Sequence, residues 1–200
     1  MSSRSRSLLA AGLLATLALA GCGEEDATSV RITLNAQGGG TVLTSAIAQP
    51  ATPGPLEAAS SGATFTHRGA INVAKGEFAD VSGLTIADLS FALDRGSANT
   101  LVVTLPRGSA AQWPALLSIP DGEARKRATA ALDSANAASR LGQTAKLEIT
   151  LPTDVVASGF QGKARGATSS HAENVATLLV PMDVAFESGE PIRWFITWGR

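Results

Sequence analysis

Few side chains of this sequence could carry chemistry. Among 200 residues there are two histidines, His67 and His171, one cysteine, Cys22, and no tyrosine. Nucleophilic hydrolysis needs a histidine within hydrogen-bond reach of a nucleophile and of an acid that orients its ring. Neighbours in sequence seldom meet with that geometry, which argues against Ser170 and Glu173 as partners of His171. The sequence therefore predicts that the protein is not an enzyme, with a hydrolase built on His67 or His171 as the alternative.

Metal, cofactor and nucleic-acid sites also lack their usual residues. The two histidines stand far apart in the chain, and Cys22 has no second cysteine with which to bind zinc. The formal net charge is -1 and the basic residues are scattered, whereas nucleic-acid binding needs a basic surface. We expect no metal ion, no cofactor and no nucleic acid as a partner.

The N-terminal residues have the layout of a secretory signal. Arg4 and Arg6 precede an apolar run at residues 8–20, which is shorter than the roughly 20 apolar residues of a membrane-spanning helix. The run ends in Leu-Ala-Gly-Cys at residues 19–22. Small residues at that place are typical of a cleavage site. This segment resembles the lipobox of bacterial lipoproteins.

The lipobox resemblance implies a location in the cell and a lipid anchor. Residues 1–21 would be a cleaved signal peptide, and Cys22 would carry palmitate or another fatty acid that holds the protein on a membrane. Residues 22–29 would form a flexible tether, because Glu24, Glu25 and Asp26 favour a solvated segment. The expected location is the bacterial cell envelope. In a host with two membranes, Gly23 resembles the default for the outer one.

Alternating apolar residues predict a single β-rich domain over residues 30–200. Val30, Ile32 and Leu34 share one face of a strand, and the glycines at 38–40 predict a hairpin with residues 41–47. Residues 81–88 change phase, which indicates a bulge or a short helical turn. Residues 94–99 predict a second hairpin, and residues 158–174 a polar loop. Other strand-like runs lie at residues 63–73, 89–93, 101–105, 145–151, 175–187 and 192–197.

One segment, residues 123–141, predicts an amphipathic helix instead. It contains neither proline nor glycine, and its alanines recur at steps of three and four residues. Such a stripe of alanine lets a helix approach a sheet closely; the alternative is a surface for a partner. The expected fold class is α+β and β-rich, an antiparallel sheet or sandwich with one helix.

The last strand carries most of the aromatic area. Trp194 and Trp198 fall on one face of residues 192–198, with Arg193 and Thr197 on the other. This alternation favours a place in the core. The alternative is that both rings line a groove for a ligand or contact a partner.

The C-terminal half resembles the LppM-like envelope lipoproteins. The matching features are KLEITLP at residues 146–152, VVAS at 155–158, a polar loop and an apolar strand from Val175; ITLNAQG at 32–38 resembles the family's opening strand and glycine turn. The sequence departs from the family pattern at Thr153, where glycine is usual, and in lacking both a tryptophan in the strand from Val175 and the family's frequent C-terminal membrane helix. The resemblance implies a non-catalytic β-rich domain that contacts lipid or glycolipid.

These inferences predict a lipid-anchored, non-catalytic envelope lipoprotein that binds an amphiphilic ligand or an envelope partner. One alternative is a structural or assembly adaptor, recognised through an exposed strand edge or an apolar patch. The other is the hydrolase mentioned above. A cleft lined by Trp194 and Trp198 would favour a ligand, and converging His, Asp and Ser side chains would favour the enzyme.

Overall fold

Two β-sheets are built from eleven strands in the part of the chain that the structure, a computed structural model, describes: residues 28–46, 64–68, 71–119, 122–123, 125–126 and 142–199. The strands are β1 (Ser29–Leu34), β2 (Gly40–Ala46), β3 (Thr64–Arg68), β4 (Ile71–Phe78), β5 (Ser90–Arg95), β6 (Asn99–Leu105), β7 (Thr144–Thr150), β8 (Val155–Phe160), β9 (Thr168–Ala172), β10 (Val175–Pro181) and β11 (Ile192–Trp198). The short helices are α1 (Trp113–Leu117), α2 (Met182–Phe186) and a 3₁₀ turn at Val81–Gly83.

The larger sheet has seven strands in the order β3-β4-β2-β1-β7-β10-β9, and the smaller has four in the order β5-β6-β11-β8. All neighbouring strands are antiparallel except β1 and β7, which are parallel. The predicted β-rich class is confirmed. The parallel pairing of β1 with β7 was not predicted from the sequence, which favoured an antiparallel sheet or sandwich.

Alternation along the strands places one core between the two sheets. Residues paired directly across a ladder share a face, so Ile32 of β1 and its partners Val42 and Ile149 lie on the same side. All three are buried, and they belong to one apolar cluster with Val103 and Trp194 of the smaller sheet. The residues of β1 between the core positions are polar, as the period of two requires.

Two ends of this sandwich can be distinguished by the direction of β1. Ser29, where β1 begins, lies next to Lys146 near the start of β7, and Pro181 at the end of β10 pairs with Thr144. We call this the N-terminal end; it also carries α2, which directly follows β10. The opposite end, the hairpin end, holds the β1–β2 turn at Gly38 and the β9–β10 turn at Glu173 and Asn174.

The turns predicted from glycine and phase changes are confirmed. Gly38 has a φ of +84° between β1 and β2, a conformation that suits glycine because it has no Cβ. The side chain of Asn35 closes this turn by accepting hydrogen bonds from the backbone N–H groups of Gln37 and Gly39. The β5–β6 hairpin is present, with Arg95 paired with Asn99 across its turn. The phase change after residue 80 is the 3₁₀ turn, which Asp80 caps by accepting from the N–H of Ser82.

Three segment predictions were wrong. Residues 158–174 do not form one loop, because β8 continues to Phe160 and β9 occupies Thr168–Ala172. As an edge strand with no apolar alternation, β9 resembles a loop in sequence. The expected strand at 175–187 ends at Pro181 and continues as α2. The run at 63–73 is divided between the antiparallel strands β3 and β4, because a shared parity does not reveal a reversal of direction.

Some predictions fall largely outside the described residues. Of the expected helix at 123–141, the structure describes Glu123, Arg125 and Lys126, which are helical, with the N–H of Lys126 bonded to the carbonyl of Gly122. The alanine stripe from residue 128 onward is outside the described part, as are residues 1–21 and Cys22. The strand β1 begins at Ser29, one residue before the expected start of the domain. No helix among the described residues combines the length and the apolar character needed to cross a bilayer.

Asp88 holds the start of α1. Its two carboxylate oxygens accept hydrogen bonds from the backbone N–H groups of Gln112 and Trp113, at 2.9 and 2.8 Å. These groups belong to the first turn, where no intrahelical acceptor exists. Trp113 is fully buried, and its indole N–H donates to the carbonyl oxygen of Pro106 at 2.7 Å. Asp88 therefore fixes the helix that carries a large core side chain.

We expect Asp88→Ala to lower the free energy of unfolding by about 1–2 kcal/mol, because two N–H groups of α1 lose a charged acceptor. Urea unfolding of the purified protein measures this change. Asp154→Ala, at an exposed position, is the control and should leave the midpoint unchanged. Equal midpoints for the two variants would show that Asp88 does not stabilise the fold.

Candidate functional site

The edge strands of the two sheets meet at one side of the sandwich, where β8 lies against β9. Ser158 on β8 is paired with the buried Ile196, so it shares the inner side of the smaller sheet. Ser169 and His171 on β9 are paired with Leu178 and Ala176, which are buried on the inner side of the larger sheet. Polar residues from both edges therefore converge between the sheets.

A chain of hydrogen bonds joins these residues to the core. The indole N–H of Trp194 donates to Ser169 Oγ at 2.9 Å, and Ser169 Oγ donates to Ser158 Oγ at 3.1 Å. Ser158 Oγ lies 3.0 Å from Nδ1 of His171. We call these four residues the Trp194–His171 chain. Trp194 is 0 % exposed, whereas His171 is on the surface, so the chain runs from the interior to solvent.

Two bonds of the chain have a fixed direction. The indole N–H of Trp194 donates to Ser169, whose hydroxyl donates to Ser158. The direction of the bond between Ser158 Oγ and Nδ1 of His171 depends on the ring tautomer: Ser158 donates where Nδ1 carries no hydrogen and accepts where it does. The structure therefore brings a serine hydroxyl within hydrogen-bond distance of a histidine nitrogen.

A serine hydroxyl within hydrogen-bond distance of an imidazole nitrogen has the first contact of a nucleophile–base pair, but no orienting acid among the described residues completes it. Among the described residues, Ser158 supplies the one hydrogen bond to the His171 ring. Glu173, the acid nearest to His171 in sequence, lies in the β9–β10 turn with a φ of +51°, and its backbone carbonyl accepts from the N–H of Val155. Ser170 pairs with Thr177 and alternates with Ser169 and His171 along β9. The arrangement of Ser170, His171 and Glu173 is therefore not found.

The two histidines do not share a site. His67 lies on β3 and is paired with Asn72 of β4, and its side chain is outside the described part. β3 and β9 form opposite edges of the seven-stranded sheet, which separates His67 from His171. The residues described contain no group of three or more His, Cys, Asp or Glu side chains placed to hold a metal ion.

The two tryptophans of the last strand are core residues. Trp194 is 0 % and Trp198 4 % exposed, and both belong to the apolar cluster between the sheets. The structure therefore places both rings in the core, as the alternation favoured. Their proposed role in lining a ligand groove stays a prediction.

Two buried hydroxyls at the N-terminal end were missed by the sequence analysis. Thr44 on β2 is 2 % exposed and Ser29 on β1 is fully buried, and neither side-chain oxygen has a hydrogen-bond partner in the described part of the chain. Thr44 lies opposite Val30 and Ala74, on the inner face of the sheet. An unpaired buried hydroxyl is unfavourable, and only the three-dimensional pairing identifies these two.

Comparison with known proteins gives a similar solved structure. No family model matches the chain, and no curated protein matches it. Among solved structures, the chain is similar to the folded domain of LppM from Mycobacterium tuberculosis, determined by NMR, with a TM-score of 0.44 and 10% sequence identity over 85% of this chain and 86% of that chain.

Proposed function

We propose that this protein is a lipid-anchored, non-catalytic domain of a bacterial cell envelope that binds an amphiphilic ligand or an envelope partner. The observation that carries the anchor is the Leu-Ala-Gly-Cys motif ending at Cys22, followed after seven residues by β1 at Ser29. Seven extended residues span at most about 25 Å, so the sandwich would lie beside the bilayer. In a host with two membranes, Gly23 favours the outer membrane.

Thr44 supports the ligand part of the proposal. It is paired with the apolar residues Val30 and Ala74 across the two ladders, and its hydroxyl has no hydrogen-bond partner among the described residues. Leaving such a group unsatisfied costs about 1–3 kcal/mol. The polar group of a bound amphiphile would satisfy it, while the ligand's apolar part packed against the neighbouring aliphatic side chains.

The anchor is tested with Cys22→Ser. Serine lacks the thiol to which the lipid is attached, so we expect the variant to lose fatty-acid label and to leave the membrane fraction. Metabolic labelling with a fatty-acid analogue, followed by membrane fractionation, measures both. Ser29→Ala, which changes a nearby serine of β1 and leaves Cys22 intact, is the control. Undiminished label in Cys22→Ser would refute lipidation at this residue.

The ligand site is tested with Thr44→Val, which removes the hydroxyl at nearly constant volume. If an amphiphile binds there, the variant purified from its own envelope should retain less ligand, as measured by native mass spectrometry. Without ligand, the same change should raise the free energy of unfolding by about 1 kcal/mol, because an unpaired hydroxyl disappears. The control is Thr33→Val at an exposed position of β1. Equal ligand retention by both variants would exclude recognition through Thr44.

A hydrolase is the second candidate function, and the 3.0 Å contact between Ser158 Oγ and His171 Nδ1 is the observation that favours it. In such a reaction Nδ1 takes the proton from Ser158 as its oxygen bonds to the carbonyl carbon of an ester. The proton then passes to the departing alcohol, and water releases the acid from the acylated serine.

The adaptor alternative rests on exposed apolar side chains, of which Val156 and Phe186 are the large ones described.

An activity-based fluorophosphonate probe distinguishes the hydrolase from the binding domain. A hydrolase predicts labelling of the wild-type protein that is lost in Ser158→Ala and kept in Ser170→Ala, whose serine alternates with the chain residues on β9. A non-catalytic domain predicts no labelling of any of the three. Labelling that depends on Ser158 would therefore overturn the non-catalytic proposal.

A further inference from the structure

Phe186 is an aromatic side chain left in solvent at a defined place. It ends α2 and is 45 % exposed, although most large apolar residues described are buried in the core. Val156 is the other exposed large apolar residue, at 70 %. The two lie at different ends of the sandwich, because α2 follows β10 at the N-terminal end, whereas Val155, the neighbour of Val156, bonds to Glu173 at the hairpin end.

The N-terminal end is also where the chain enters the sandwich. β1, β7 and β10 are successive neighbours in the larger sheet, and neighbouring strands lie about 4.8 Å apart. The start of β1 at Ser29 and the end of β10 at Pro181 are therefore separated across the sheet by about 10 Å. If residues before Ser29 are attached to a surface, α2 lies at the end of the sandwich that is nearest to the attachment.

The length of the segment between Cys22 and Ser29 limits the distance between the sandwich and a membrane that holds Cys22. From Cys22 to Ser29 the chain spans at most about 25 Å. A membrane that holds an acyl group on Cys22 therefore lies within this distance of Ser29, at the N-terminal end of the sandwich. The hairpin end lies about 20 Å from Ser29, the length of the six residues of β1.

The charges around α2 have both signs. The loop at residues 161–167 packs on α2, since a Cβ added to Gly166 would lie 2.8 Å from Cγ2 of Val184, and this loop exposes Lys163 and Arg165. Glu187 is paired with Arg107 at 2.9 Å, and Asp183 and Glu190 are exposed. The exposed ring of Phe186 is therefore accompanied by exposed side chains of both signs and not by a uniformly basic surface.

We propose that the N-terminal end of the sandwich rests on the lipid bilayer, with Phe186 entering the interface and the hairpin end directed away from the membrane. The inference rests on the proposed lipid anchor at Cys22. It adds an orientation of the domain relative to the membrane. The Trp194–His171 chain reaches solvent at the β8–β9 side of the sandwich, and the turns at Gly38 and Glu173 face the aqueous space. The partner is the bilayer itself, to which the chain is already tied.

The orientation is tested with single introduced cysteines in the full chain, since an acylated Cys22 leaves no other thiol. Phe186→Cys and Val156→Cys, the two exposed apolar positions, are labelled with an environment-sensitive fluorophore in phospholipid vesicles. We expect nitroxide-bearing lipid to quench the label at residue 186 and aqueous iodide to quench the label at 156. A third label, Glu190→Cys, keeps Phe186 in place, and adding Phe186→Ser to it should increase iodide quenching several-fold.

The outcomes separate this proposal from the anchor on which it rests. A chain that carries no acyl group and does not sediment with vesicles removes the anchor and the orientation together. An acylated, vesicle-bound protein whose labels at 156 and 186 are equally open to iodide removes the orientation alone. Protection of residue 186 in native envelopes but not in lipid vesicles would assign Phe186 to a protein partner and overturn the bilayer contact.

Discussion

The parallel pairing of β1 with β7 is the constraint on which the rest of the structure depends. It joins Ile32 to Ile149 in register and brings the first described strand beside one that follows it by more than a hundred residues. Parallel neighbours need a long connection, and here that connection contains β2 to β6, which supply three of the seven strands of the larger sheet and two of the four strands of the smaller. Because β1 fixes the direction of its neighbours, it also decides that α2 and the start of the domain share one end.

The two edge strands β8 and β9 show how the sandwich handles polar groups between its layers. An open edge exposes unpaired backbone groups and is a common liability. At this side the edges face each other, and Ser158 and Ser169 fill the space with hydroxyls that bond to one another. The buried indole N–H of Trp194 is satisfied by the same bonds. Structural and catalytic interpretations of these serines therefore start from the same contacts.

Much of the fold follows from local signals in the sequence. The alternation of Val30, Ile32 and Leu34, the glycine turn and the β5–β6 hairpin are set by neighbours in the chain, so they could be predicted. The pairing of β1 with β7 could not, because it joins segments that no local pattern links. Polar β9 has the sequence of a loop, because its hydrogen bonds to β10, and not burial, make it a strand.

The candidate site was harder to predict for the same reason. His171 is one of the two histidines considered for a hydrolase, and the serine in contact with it is Ser158 on the other sheet, whereas the adjacent Ser170 was already considered an unfavourable partner. Thr44 looks like an ordinary strand threonine until its neighbours across two ladders are known. Contacts of this kind depend on register, which composition and spacing leave open.

The distribution of aromatic residues gives the protein an internal optical probe. Its near-ultraviolet emission comes from three tryptophans without any tyrosine, and Trp113, Trp194 and Trp198 are all buried. The indole of Trp113 bonds to a backbone carbonyl beside α1, whereas that of Trp194 bonds to a serine at the sheet edges. Variants that retain one tryptophan at a time would therefore emit from different regions of a single core. Their fluorescence during unfolding would show whether those regions lose their structure together or one after the other.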